Sequence, residues 1–193
     1  MRVIAGEYRG RKLKALKGSE TRPTTDRVKE ALMSKIISAK DTLEGLCALD
    51  AFAGTGALGI EALSRGASFV AFCDKSNEAI KIISENLKDL KVAPSQYALK
   101  KLDSLSLSAS IFRQAFDLVF LDPPYAYNPH EVLKVMDAYF QTGVLKNDAL
   151  VCYELAKSSK KELEEALNAL KLASISYKEY GETSIVLIRK DAQ

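Results

Sequence analysis

Leu49-Asp50-Ala51-Phe52-Ala53-Gly54-Thr55-Gly56-Ala57-Leu58 decides how the rest of the chain is read. Residues 46–51 are short, apolar and closed by a carboxylate, which reads as a buried strand. Gly54 and Gly56 make a loop, and Gly59-Ile60-Glu61-Ala62-Leu63 already has helical spacing. Strand, glycine loop and helix in that order bring bare backbone to a ligand at the strand's carboxyl end.

Two cofactor classes compete for such a loop, beside a purely structural tight turn. Gly54-Thr55-Gly56-Ala57-Leu58-Gly59 satisfies the G-x-G-x-x-G pattern, and Asp74 follows Gly54 by 20 residues. Both features suit a dinucleotide. Asp50 argues the other way. A carboxylate at the strand tip repels a pyrophosphate and attracts a cation, such as the ammonium and sulfonium of S-adenosylmethionine.

Working outward, strands are expected near 46–51, 68–73, 96–101, 117–122 and 148–155. Helices are expected over 57–65, 76–90, 105–113 and 129–141, and from the Ser159–Glu162 capping box to Leu170. Before them, a helix opens at Thr24, Thr25 or Asp26 with an apolar stripe of Val28, Leu32, Ile36 and Ala39. The second long helix turns Ile80, Ile83, Leu87 and Leu90 inward. Residues 172–180 and 183–189 flank Gly181-Glu182 and read as an antiparallel hairpin. Residues 2–5 and 11–16 read as a short β-hairpin around Glu7–Gly10. The fold class is therefore α/β and Rossmann-like, a mostly parallel sheet with an antiparallel C-terminal hairpin and a short N-terminal β-hairpin arm. With 193 residues, one domain over 1–193 is expected: a basic arm and linker over 1–23, then a helix and Rossmann-like core over 24–193.

Composition narrows the function classes. The longest apolar run is too short for a membrane-spanning helix, and the N-terminus lacks a signal-peptide core. A lone histidine, His130, supports neither a His-based triad nor a multi-His metal site. Cys47, Cys73 and Cys152 have no metal-site spacing and read as inert thiols in a reducing cytoplasm. No metal is expected. Residues 1–30 hold nine Lys or Arg and four acids, +5 in all; with +3 overall, the remainder carries −2. A basic arm on a near-neutral body points to a polyanion, most simply nucleic acid, with Arg9, Arg11, Lys12 and Lys14 as the clustered contacts, against the alternative of a merely solvated basic surface.

Asp50, Asp74, Asp103 and Asp122 close successive strands, where ligands of such sheets bind. Asp74 is placed for a pair of ribose hydroxyls and Asp103 for an adenine amino group. Asp122-Pro123-Pro124-Tyr125 follows a strongly apolar strand. Its prolines remove two N–H donors and stiffen the turn. That leaves acceptors suited to a substrate amine, beside an aromatic face on which a base can stack.

The glycine loop and this tetrad together resemble class I S-adenosylmethionine-dependent methyltransferases acting on amino nitrogens. Arg2-Val3-Ile4-Ala5-Gly6, Arg9-Gly10-Arg11-Lys12-Leu13 and the block from Thr21 to Glu30 are similar to the RsmD family. The resemblance implies methylation of the exocyclic N2 of one guanine in 16S rRNA, within the assembling small ribosomal subunit. It implies that Phe52, Ala53, Gly54 and Gly56 line the methionine part of the cofactor and that Arg22 and Thr24 pack over its carboxylate end. Asp122, the Pro123 carbonyl and Tyr125 would hold the guanine. The alternatives are N6 methylation of adenine in RNA or DNA, a non-catalytic RNA-binding assembly factor, and an NAD oxidoreductase.

Overall fold

The computed structural model describes residues 1–16, 26–105, 112 and 114–190. The chain divides into two compact units, Met1–Ser104 and Leu105–Gln193.

In the first unit, α1 (Asp26–Lys40) precedes β1 (Cys47–Asp50), α2 (Ala57–Ser64), β2 (Phe69–Asp74), α3 (Asn77–Asp89) and β3 (Tyr97–Lys101). The strands lie in the order β3-β2-β1 and all pair in parallel. Cys47 to Asp50 face Phe69 to Phe72 in register. Each connection carries a helix or helical turn, as a parallel pairing demands. Leu49, Ile60, Phe72 and Ile83 are fully buried. Ser76 caps α3 by accepting the Ala79 N–H at 3.3 Å.

Two expectations for this unit need correction. The N-terminal β-hairpin is shorter than expected: an antiparallel bridge, Arg2 to Lys12, flanked by the Val3 N–H on the Arg11 carbonyl at 3.0 Å and the Leu13 N–H on the Met1 carbonyl at 3.1 Å. Other backbone groups of this segment bond to side chains on helices α2 and α3. The buried face of α1 is Lys29, Leu32, Met33 and Ile36, whereas Val28 and Ala39 are half-buried. The stripe is rotated because the Lys29 ammonium is drawn inward to the Arg2 carbonyl at 2.5 Å.

The second unit contains β4 (Phe116–Leu121), α4 (Pro129–Gln141), β5 (Leu145–Ala156), α5 (Lys160–Leu170), β6 (Leu172–Tyr180) and β7 (Thr183–Lys190). Its order is β4-β5-β7-β6, with β4 and β5 parallel and the final pairings antiparallel. The hairpin places β7 inside and β6 outside. The sequence dictates this: Ile185-Val186-Leu187-Ile188 is buried throughout, while Ile175 on β6 is left exposed. Every residue of β4 is buried, as a strand covered on both faces requires. The Ser159 capping box does not form. A 3-10 turn over Lys157–Ser159 runs straight into α5, so Ser159 lacks the extended backbone a cap needs. The expected helix over 105–113 falls mostly outside the described residues. With parallel pairings through its core and an antiparallel end, the fold is α/β and Rossmann-like.

Candidate active site

The glycine loop is held by its own polar groups. Asp50 is 2% exposed, and its Oδ2 accepts the Gly59 N–H at 3.0 Å. Gly59 lies in the first turn of α2, whose N–H groups have no partner within the helix. The carboxylate therefore sits where the helix dipole favours negative charge. Asp74 closes β2 and accepts the Gly54 N–H and the Ser76 N–H, each at 2.8 Å. The Ala53 N–H donates to the Cys73 carbonyl at 2.9 Å, and the Ser104 hydroxyl donates to the Ala51 carbonyl. Burial, with Asp50 and Asp74 nearby, pushes the Cys73 thiol up to about 12, so it stays protonated.

Two glycines have distinct jobs. Gly54 has φ of 53°, and a Cβ there would meet nothing within 4 Å, so the space above it is open. At Gly59 a Cβ would fall 2.3 Å from the ring of buried Phe72. The third glycine of the pattern thus allows α2 to close on β2, and the first leaves room for a ligand. Phe52 is half-buried, and Ala53 and Gly56 are buried. Asp103 is exposed just beyond β3. The structure thus gathers Asp50, Asp74 and Asp103 at the carboxyl ends of β1, β2 and β3. Arg22 and Thr24 lie outside the described residues.

In the second unit, β4 ends at Leu121 and the chain turns at Asp122-Pro123-Pro124-Tyr125. Asp122 is half-buried, and desolvation pushes its carboxyl up to about 6. Pro123 is buried, while Tyr125 is 51% exposed. The Tyr125 hydroxyl shares a 2.5 Å hydrogen bond with the Thr183 hydroxyl at the start of β7. This tethers the ring by its hydroxyl end. Pro123, Pro124, Tyr125, Tyr153 and Glu154 help line a shallow recess open to solvent. Asn128 then caps α4 by accepting the His130 N–H at 2.8 Å, with Pro129 in the first turn.

Sequence reasoning missed how the N-terminal segment is held. Glu61 is fully buried and accepts the Ile4 N–H at 2.9 Å, the Ala5 N–H at 3.1 Å and the Arg65 Nε–H at 2.9 Å. Ser64 accepts the Tyr8 N–H at 3.0 Å and donates to the Ala5 carbonyl at 2.5 Å. Buried Val3, Tyr8 and Leu13 complete the seat. The signal was present: Glu61 is a lone acid in an otherwise apolar helix. Among the four expected RNA contacts, Lys14 pairs with Glu85 at 3.1 Å and Asp89 at 3.0 Å. Arg11 donates to the Asp89 carbonyl at 2.7 Å. Arg9 and Lys12 are exposed.

The family model described as conserved hypothetical protein 95 matches residues 1–189. The chain belongs to that family. Ribosomal RNA small subunit methyltransferase D of Haemophilus influenzae is 38% identical over 158 residues, spanning 81% of this chain and 79% of that protein. YlbH of Bacillus subtilis is 36% identical over 191 residues, 98% of this chain and 99% of that one. The solved structure of yhhF from Escherichia coli superposes with a TM-score of 0.77 at 27% identity, covering 100% of this chain and 99% of its own. The family match spans both the glycine loop and the Asp122–Tyr125 turn.

Proposed function

We propose that this protein is an S-adenosylmethionine-dependent methyltransferase that methylates the exocyclic N2 of a guanine in 16S rRNA of the small ribosomal subunit. The observation that carries the cofactor assignment is Asp50 on the Gly59 N–H. A dinucleotide's pyrophosphate needs the first-turn N–H groups of that helix. Here a buried carboxylate takes one of them, which disfavours a second anion and favours a cationic ligand. Open space over Gly54 leaves room for it, and Gly54, Gly56, Phe52 and Ala53 would flank its methionine part. Asp74 retains acceptor capacity for ribose hydroxyls, since each carboxylate oxygen can accept more than one hydrogen bond. Asp103 would take the adenine amino group.

When bound, the cofactor supplies an electrophilic methyl group. The chain's own residues prepare the nucleophile. The lone pair on guanine N2 is delocalised into the ring. Asp122 and the Pro123 carbonyl, accepting its N–H bonds, favour a more pyramidal and more nucleophilic nitrogen. The Asp122 carboxylate also stabilises positive charge growing there. Tyr125 offers a ring face for stacking, which requires the base to leave its helix. The rRNA substrate is supported by the name of the Haemophilus relative. The described residues hold no group of side chains able to bind a metal, and no described helix could cross a membrane. The setting proposed is the cytoplasm, where small subunits assemble.

The test is transfer of tritiated methyl groups from S-adenosylmethionine to unmethylated small subunits, naked 16S rRNA and DNA, followed by nucleoside analysis. Label in N2-methylguanosine is expected. Label in N6-methyladenosine would move the chain to the other amine class, and absence of transfer on all three substrates would favour a binding factor.

A further inference from the structure

Asn86 is 2% exposed on α3. Its Nδ2 donates to the Thr55 carbonyl at 3.1 Å and to the Lys14 carbonyl at 3.2 Å. Its Oδ1 accepts the Lys14 N–H at 2.8 Å. One amide thus joins the glycine loop, through the residue between Gly54 and Gly56, to the basic N-terminal segment. Both N–H donors and the carbonyl oxygen of this amide are engaged.

We propose that Asn86 is a positioning residue that couples RNA binding on the N-terminal segment to cofactor binding on the glycine loop. This rests on the functional reading above, with the cofactor at the loop and RNA phosphates at the segment. Residues 2–8 are already fixed elsewhere, by Lys29, Glu61 and Ser64. Their hold needs nothing from the loop. Bonds from Val3 to Arg11 and from Leu13 to Met1 carry that hold along the segment, and the Thr55 hydroxyl reaches the Met1 sulfur at 3.5 Å, but the backbone of Lys14 itself is gripped by the side chain that also holds the Thr55 carbonyl. Lys14 also carries the charge: its ammonium lies on Glu85 and Asp89, one acid adjacent to Asn86 and the other a turn further along α3. A phosphate arriving beside Lys14 therefore acts on the residue whose main chain Asn86 grips. Burying an amide on a helix face flanked by Ile83 and Leu87 is unfavourable unless its hydrogen bonds are made. Ordering the segment with RNA orders the Asn86 amide, and with it the Thr55 carbonyl. The second ligand then meets a loop already ordered, which is positive cooperativity. Linkage makes the effect reciprocal: each ligand tightens the other by the same factor.

The experiment measures the dissociation constant of S-adenosylhomocysteine with and without saturating unmethylated small subunits. In the wild-type protein the subunits should tighten it by about 5-fold or more. In Asn86→Ala, and in Asn86→Asp, which keeps the acceptor but loses both donors, the ratio should fall to about 1. Circular dichroism checks that the variants are folded. A residue that only supports the fold would weaken binding in both arms and leave the ratio unchanged; a folded variant with the wild-type ratio overturns the proposal. Hydrogen exchange on the wild-type protein gives a second reading without any variant. Subunits alone should slow exchange at the Gly54, Thr55 and Gly56 amides, and unchanged exchange overturns the coupling. Loss of all S-adenosylhomocysteine binding to the wild-type protein would instead sink the functional reading itself.

Discussion

The glycine loop and the Asp122–Tyr125 turn differ in how much of their chemistry the protein itself consumes. In the loop, Asp50, Asp74 and Asn86 all hold backbone groups, and Gly59 is wedged against Phe72. In the turn, a side-chain hydrogen bond ties the tip of Tyr125 to Thr183, and the residue stays half in solvent. Asp122 even sits in surroundings that disfavour its charge. On the proposed reading the loop is a preorganised cradle whose residues serve folding as well as binding. On the same reading the turn is kept for reaction, at some expense in stability.

That contrast breaks first at Asp122. Asp122→Ala should lower methyl transfer by about 100-fold or more, in the range seen when one charge-stabilising group is removed from a site. The variant should still fold and still bind S-adenosylhomocysteine. Turnover near the wild-type level would mean that the turn is structural like the loop.

The next largest effect is pH dependence. On the proposed mechanism it is the ionised Asp122 carboxylate that stabilises charge growing on the nitrogen, and its pKa stands at about 6 instead of 3.8. The kcat/KM should therefore fall about tenfold per pH unit below 6 and level off above it. The stability consequence has the opposite sign. The folded state holds this proton more tightly than the unfolded chain, so stability is lost as pH rises from about 4 to 6. Asp122→Asn should be more stable than wild type at pH 8, by on the order of 2 kcal/mol, since a tenfold change in proton affinity is worth about 1.4 kcal/mol. A denaturant titration of both proteins at pH 4 and pH 8 reads the difference. Equal stabilities at pH 8 would remove the claim of strain.

The loop gives the converse result. Gly59→Ala drives a methyl group toward Phe72, which is fully buried and has nowhere to swing. A loss of about 1–3 kcal/mol in unfolding free energy is expected. Gly54→Ala, which meets open space but has positive φ, should lose less, about 1 kcal/mol. Similar losses at both glycines would erase the division of labour between them.

The alternation of strands and helices was legible because it is written in local periodicity. The loop was legible because glycine spacing is local too. The N-terminal segment was not, because its partners lie far along the chain: Ala5 reaches Glu61 across 56 positions and Lys14 reaches Asn86 across 72. Charge counting saw a basic arm there and could not see which cations the helices had already paired. Asp50 shows a subtler limit. Its sign was readable, but its seat on the Gly59 N–H depends on how α2 folds back over β1. Ser159 shows the reverse error, a local signature overridden by the turn that feeds α5.

The smallest expected effect concerns which cations meet RNA. Lys14 lies between Glu85 and Asp89, and Arg11 is engaged with the Asp89 carbonyl. A phosphate must compete for both. Arg9 and Lys12 are exposed and stand on either side of Gly10 and Arg11, where the segment turns back. Each phosphate contact contributes a little under one unit to the slope of log affinity against log salt. Arg9→Ala with Lys12→Ala should then flatten the slope for small-subunit binding by about one to two units. Arg11→Ala with Lys14→Ala should flatten it less, because a phosphate must first displace Lys14 from Glu85 and Asp89 and Arg11 from the Asp89 carbonyl. Neither pair should change cofactor affinity measured without RNA. Equal flattening by both pairs would show that the ion pairs to α3 open freely on binding. No flattening by either would place the RNA contacts on another surface of the protein.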